Sequence, residues 1–319
     1  MKRFKNIVYV VSGFSLPVGA ALQTVRSLVT DNQATLTLVH VHEGVRSLSL
    51  LERIGLDHDS FEAELKARQE KVLADISEEM GVNICSRHIT LHGKPAVVLS
   101  DLVATIKADL VIKSCGPSSV MDRFAGADDI QILRLCPCPV WLLSPEPPKE
   151  QATIVAAIDF DTDPDSNTGH DSLSDIIVTL ALSLASNTMA DLHIINAYEV
   201  PEAGFISLWV EEPEKIEREL EYNEYQRRRS KMDALLKQLR ERIGDEAYDF
   251  IAPQSHVLKG RPSEEIVRLV KNKKADLVVM GTVARTGVAG VLIGNTAEMV
   301  LSQLPCSVLA VKPSQQRSV

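Results

Sequence analysis

The chain repeats itself. His92-Gly93-Lys94-Pro95-Ala96, followed at a fixed distance by Lys107-Ala108-Asp109-Leu110-Val111-Ile112, returns as Lys259-Gly260-Arg261-Pro262-Ser263 followed by Lys274-Ala275-Asp276-Leu277-Val278-Val279. Upstream, the stretch Ala34 to Glu43 matches Ala190 to Glu199, and Ile7 to Ser12 matches Ile154 to Asp159. The order is kept while the spacing grows. The second copy therefore carries insertions, about nine residues after its first strand and about eleven before its Gly-Arg-Pro turn, where loops accept length. A repeat this long is a whole domain rather than a solenoid unit, and 319 residues suffice for two domains with a core each. Pro145-Glu146-Pro147-Pro148-Lys149-Glu150 has linker composition. The expected organisation is a first domain over 1–144, a linker over 145–151 and a second domain over 152–319.

Each copy alternates strand and helix patterns. In the second, Thr153–Ile158 reads as a buried strand, and Ser172 with Asp175 opens an amphipathic helix carrying Ile176, Leu180 and Leu184. Leu192–Ala197 is the next strand. A charged helix from about Glu214 to Ile243 follows, with Leu220, Met232, Leu235, Leu236 and Leu239 as its apolar stripe, then a strand near His256–Leu258. Pro262 suits the first helical position, with Glu264 and Glu265 in the first turn. Leu277–Met280 is a strand, Gly294–Gln303 a helix stopped by Pro305, and Cys306–Val311 a last strand. This alternation predicts parallel sheets covered on both faces, with a ligand crevice at the carboxyl ends of the strands where the winding reverses.

Composition narrows the partners. Forty-three acidic against 34 basic side chains give a formal charge of −9 without a basic patch, which argues against nucleic acid. No run approaches the roughly 18 apolar residues of a membrane span, so a cytoplasmic protein is expected. Cys85, Cys115, Cys136, Cys138 and Cys306 are odd in number and lie mostly in apolar stretches, as reduced buried thiols would.

Between the strand ending at Met280 and the helix starting near Gly294 lies a loop with Gly281, Gly287 and Gly290. Glycines there let backbone N–H groups approach a phosphate, and the helix start offers unpaired donors to the same anion. Asn295 and Thr296 add side-chain donors and Arg285 a charge. Taken alone, the loop reads equally as a long turn whose helix is capped by Asn295.

These residues resemble the universal stress protein family, in its tandem, E-type bacterial branch. ATP-binding members carry Gly-x-x-Gly, nine residues, then Gly-Ser/Thr after the fourth strand; here Gly281, the spacer Arg285–Ile293 and Gly294 match. Ala284 replaces the second glycine, and Asn295, followed by Thr296, replaces Ser/Thr. The family also implies an adenine-contacting aspartate after the first strand, which Asp159 matches, with Ala197 and Met280 at the neighbouring strand ends. The implied fold is two tandem Rossmann-like domains of the adenine nucleotide alpha hydrolase type, each a five-stranded parallel sheet with helices on both faces. The implied ligand of the second domain is ATP, with or without magnesium.

The first copy has lost this equipment. Gly126 falls opposite Gly294, but Ala127 and Asp128 stand opposite Asn295 and Thr296, with Asp129 next. These carboxylates complement the helix dipole themselves and repel a triphosphate; Pro117 removes a loop donor, and Ser12 replaces the base-contacting aspartate.

Other constellations are weaker. His40, His42, His88 and His92 gather near two strand ends, but without a metal-binding spacing motif they read as polar residues beside a crevice. Asp159, Asp161, Asp163 and Asp165 read either as a solvated loop or as a hold on nucleotide-bound magnesium. Arg227-Arg228-Arg229 with Lys231, among glutamates, reads as the wet face of a helix. Ser12-Gly13-Phe14-Ser15 lacks the second glycine and aspartate of a pyrophosphate loop, and no P-loop or nucleophile elbow is present. The expected function is a nucleotide-responsive stress factor that binds ATP in its second domain with slow or no hydrolysis. The alternative is a scaffold, an internal pseudo-dimer able to pair further with a second chain, that binds proteins or an apolar metabolite without nucleotide.

Overall fold

The computed structural model describes residues 4–11, 19–43, 57–81, 84–115, 127–144, 149, 151–160, 173–200, 212–282 and 293–312. Several residues singled out above lie outside these: Ser12 to Ser15, Pro117, Gly126, most of the linker, Asp161, Asp163, Asp165, Ala284, Arg285, Gly287 and Gly290.

The first half runs β1 (Asn6–Val11), α1 (Gly19–Asn32), β2 (Thr35–His42), α2 (His58–Met80), β3 (Cys85–His92), α3 (Pro95–Ile106), β4 (Leu110–Ser114), α4 (Ala127–Leu135) and β5 (Val140–Leu143). The second runs β6 (Thr153–Ile158), α5 (Leu173–Thr188), β7 (Asp191–Tyr198), α6 (Pro213–Ile243), α7 (Asp245–Ile251), β8 (Gln254–Lys259), α8 (Pro262–Lys273), β9 (Leu277–Gly281), α9 (Asn295–Leu301) and β10 (Ser307–Val311). The anticipated strands and helices are present with ends moved by a few residues. Helix α7 was not anticipated: it is only 7 residues long, too short for a helical period to show, and it packs Tyr248 and Ile251 part-buried against the core.

Within each half the strands pair in parallel, and the two sets join into one ten-stranded sheet of order β3-β2-β1-β4-β5-β10-β9-β6-β7-β8. The junction is antiparallel, with Trp141 opposite Leu309. Strands β5 and β10 would otherwise be bare apolar edges, and each covers the other. One core lies between the sheet and α1, α2, α5 and α6; the other lies under α3, α4, α8 and α9.

Side chains also tie the halves together. Lys312 Nζ donates to the carbonyls of Arg134 (2.8 Å) and Cys136 (2.6 Å), Arg134 pairs with Glu298, and Ser144 N donates to Ser307 Oγ at 2.9 Å. Burial lowers the Lys312 pKa and pushes the Cys136 thiol up to about 12, so Cys136 stays a neutral thiol.

The repeated Ala-Asp-Leu has a structural cause. Asp109 accepts from the backbone N–H groups of Lys5 (2.7 Å) and Asn6 (3.0 Å), and Asp276 accepts from Thr153 N at 2.9 Å. In both halves, then, the carboxylate before the fourth strand holds the start of the first. The Gly-x-Pro turns repeat for a reason as well: Gly93 and Gly260 have φ of 135° and 143°, a region glycine tolerates, and Pro95 and Pro262 open the helices that follow.

Candidate functional site

The ladder sets the site. Strand β6 pairs with β7 on one side, up to Ile158 opposite Asn196, and with β9 on the other, up to Ala157 opposite Met280. The chain crosses from β6 to β7 in one direction and reaches β9 in the other, so the winding reverses between β6 and β9. The carboxyl ends of these strands bring Asp159, Ala197, Met280 and Gly281 to one end of the sheet. Ala197 and Met280 are buried there, Gly281 is half-buried and Asp159 is exposed.

Asp159 is held by its backbone and faced by a cation. Its N–H lies 3.3 Å from Ser174 Oγ, and the same hydroxyl donates to its carbonyl at 2.5 Å, which fixes the end of β6 to the first turn of α5. The Arg228 guanidinium lies 3.8 Å from its carboxylate. Arg228 is only 4% exposed, against the wet-face reading of its helix. It donates to Asn196 Oδ1 (3.2 Å) and Glu224 Oε1 (2.5 Å) and sits 5.1 Å from the centre of the Tyr198 ring. Asn196 in turn donates to the Ile158 carbonyl at 3.1 Å. Burial, then Glu224, raises the Tyr198 pKa, so the phenol stays protonated.

Two signals in the sequence pointed to this network. Asn196 interrupts an apolar strand, and Arg228 stands four residues before Met232, on the apolar stripe itself. Arg227 and Arg229, on either side of it, are half-buried.

On the β9 side, the base of the loop is pinned. Thr282 N donates to the Val311 carbonyl at 3.2 Å, and Gly294 N donates to the Thr282 carbonyl at 3.0 Å. Thr282 is 1% exposed, and its Oγ1 has no hydrogen-bond partner among the described residues. Such a hydroxyl is costly to leave unmet. Gly294 is the N-cap of α9 and receives no side-chain cap, so Asn295 does not cap the helix; Asn295 and Thr296 are exposed in its first turn. Gly281 has a packing role: a Cβ there would lie 2.6 Å from a Leu173 methyl of α5. These polar groups suit an anionic ligand.

The same place in the first half is neutralised internally. Lys113, the β4 residue matching Met280, pairs with Asp129 of α4 at 2.5 Å, and the two side chains are 17% and 8% exposed. Asp128 is exposed at the helix start. Of the two carboxylates expected to face a phosphate, Asp129 instead turns inward to a lysine. Next to them, the Tyr9 hydroxyl and Ser114 Oγ are 2.7 Å apart.

Two pairs of histidines are in contact. His42 and His92 meet edge to face with ring centroids 4.8 Å apart, and no group of three or more metal-ligating side chains occurs among the described residues. In the second half His193 Nδ1 and His256 Nε2 lie 3.0 Å apart. No helix of the described residues is long and apolar enough to cross a membrane.

Two α/β halves wound in one order, sharing a sheet and differing at the reversal crevice, define a duplicated α/β protein of Rossmann-like build. Both halves match the profile of the universal stress protein family, over residues 3–144 and 153–312, and the chain belongs to that family. It is 29% identical over 232 residues to "Universal stress protein E" of Escherichia coli, covering 72% of this chain and 69% of that protein. The "Universal stress protein E homolog" of Haemophilus influenzae is 30% identical over 233 residues, covering 72% and 70%. Among solved structures, a putative universal stress protein from Pseudomonas aeruginosa superposes with a TM-score of 0.66 at 26% identity over 98% of this chain and 94% of that one. One from Archaeoglobus fulgidus, at 17% identity and TM-score 0.62, covers 96% and 98% and shares the fold.

Proposed function

We propose that the chain is a nucleotide-responsive stress factor whose second half, 152–319, binds ATP in the crevice between β6 and β9, while the first half, 1–144, serves as its partner across the sheet. Asp159 and Ala197 would take the adenosine side. Gly294, Asn295 and Thr296 would take the phosphates, together with Ala284 and Arg285 of the loop. The observation that supports this most directly is Thr282: a buried hydroxyl without a partner among the described residues, directly before the loop that would wrap the phosphates. The bare Gly294 cap agrees with it.

In the first half the Lys113–Asp129 pair stands at the equivalent place, and on this reading one nucleotide binds per chain. A carboxylate beside an already neutralised lysine does not attract a triphosphate. Titration calorimetry of the full-length chain with ATP and magnesium tests the reading. One site per chain is expected. Absence of heat, together with failure of ATP to raise the melting temperature, rejects it.

A further inference from the structure

We propose a second ligand site, for an uncharged and mainly apolar small molecule carrying a carbonyl or hydroxyl oxygen, in a cavity of about 270 Å³ between the two halves. Its walls come from both: Leu28 of α1 and Leu143 of β5 from the first, Ile154 of β6 and Leu184 of α5 from the second. Trp141 lines it as well. That tryptophan is 7% exposed, and its indole Nε1 is buried without a hydrogen-bond partner among the described residues. A buried indole N–H normally finds an acceptor, and the ring that carries this one forms part of the cavity wall.

The position of Trp141 sets it apart from an ordinary core residue. It stands directly opposite Leu309 at the antiparallel junction, and the alignment of the two copies makes Leu309 its counterpart in the repeat. A leucine there asks for nothing. The tryptophan brings a donor to a spot where its twin has none, next to a cavity of ligand size.

The rim decides the charge of the guest. Lys149 is spent on Asp276 (2.9 Å), and the other polar groups at the mouth are mostly neutral side chains such as Gln23, Ser27 and Asn187, with Asp31 the remaining charge. Nothing here favours an anion, and desolvating one against leucines is costly. The site is separate from the nucleotide crevice. In the second half it opens at the amino ends of β6, β9 and β10, by Ala152, Asp276 and Ser307, whereas Asp159 and Gly281 stand at the carboxyl ends.

The test uses full-length protein and the neutral naphthyl ketone 6-propionyl-2-(dimethylamino)naphthalene, whose emission shifts to the blue in apolar surroundings. Replacing Trp209→Phe leaves Trp141 as the single tryptophan. Saturable binding of one probe per chain, with quenching of Trp141, is expected. In a chain that keeps Trp209, Trp141→Phe should weaken binding about fivefold, one neutral hydrogen bond. Ser27→Phe or Thr24→Phe, which fill the mouth from α1, should weaken it at least tenfold at unchanged melting temperature; these carry the test if the Trp141 variant does not fold. Non-saturable binding, indifference to the α1 substitutions, or displacement of the probe by ATP each overturns the proposal. Loss of ATP binding with probe binding intact rejects only the nucleotide reading.

Discussion

Lys113 and Asp129 form an ion pair at 2.5 Å in the first half, where the repeat places Met280 and Ala297 in the second. Both charges are largely buried, so neither is easily lost alone. Lys113→Met or Asp129→Ala should each destabilise the protein by about 3 kcal/mol, because the survivor stays buried and unpaired. The double substitution Lys113→Met with Asp129→Ala, which copies the second half, should recover most of that loss. Urea denaturation of the four proteins checks it.

Thr282→Val removes a buried hydroxyl that has no partner among the described residues while keeping its shape. Stability should rise by about 1 kcal/mol. If the hydroxyl waits for a phosphate, ATP affinity falls about fivefold at the same time. Stability and binding then move in opposite directions, a pattern that simple damage to the fold does not produce. Thermal melts with and without ATP read both.

Gly294→Asp should separate the two quantities further. The residue has φ of −69° and ψ of 144°, open to any side chain, and an aspartate there makes a better N-cap than glycine. The fold should hold or gain a few tenths of a kcal/mol, while the new carboxylate at the phosphate position should reduce ATP affinity at least tenfold. Calorimetry on the variant and parent decides.

Arg228→Met should cost about 3 kcal/mol, because Glu224 and Asn196 each lose a hydrogen bond from a buried guanidinium. Arg229→Met, one residue on, is exposed enough to cost well under 1 kcal/mol. The contrast, measured by denaturation, separates the buried arginine from its neighbour.

The His193–His256 contact predicts a pH dependence. Burial, then Lys273, pushes His193 down to about 4 and lowers His256. A folded-state pKa below the unfolded value of about 6.5 means that the folded protein binds fewer protons between them. Stability from this pair is therefore complete above about pH 6.5 and is lost as pH falls towards 4. Melting temperature against pH should show that decline, and His193→Gln should flatten it.

Much of this molecule was legible in its repeat. Elements that bury an apolar stripe or run, such as α5, α8 and β9, announce themselves by period and composition, and the Gly-Arg-Pro turn by its own chemistry. The fusion of two sheets was not readable, because the apolar runs of β5 and β10 look alike whether a neighbour strand is parallel or antiparallel. At the candidate site the sequence named the backbone positions and missed the side chains behind them. Arg228 hides in a run of three arginines, and only its spacing from Met232 separates it from its neighbours. Thr282 follows a glycine and looks like loop, yet it is buried.

The junction of β5 with β10 lies inside a single polypeptide, so it does not come apart on dilution. It also breaks a rule that binds identical subunits, in which any substitution is made twice, once on each side of the axis. Here a lysine–aspartate pair stands on one side only, and a tryptophan faces a leucine across the seam. Covalent fusion has released each half from having to mirror the other, and the two can diverge in sequence at matching positions.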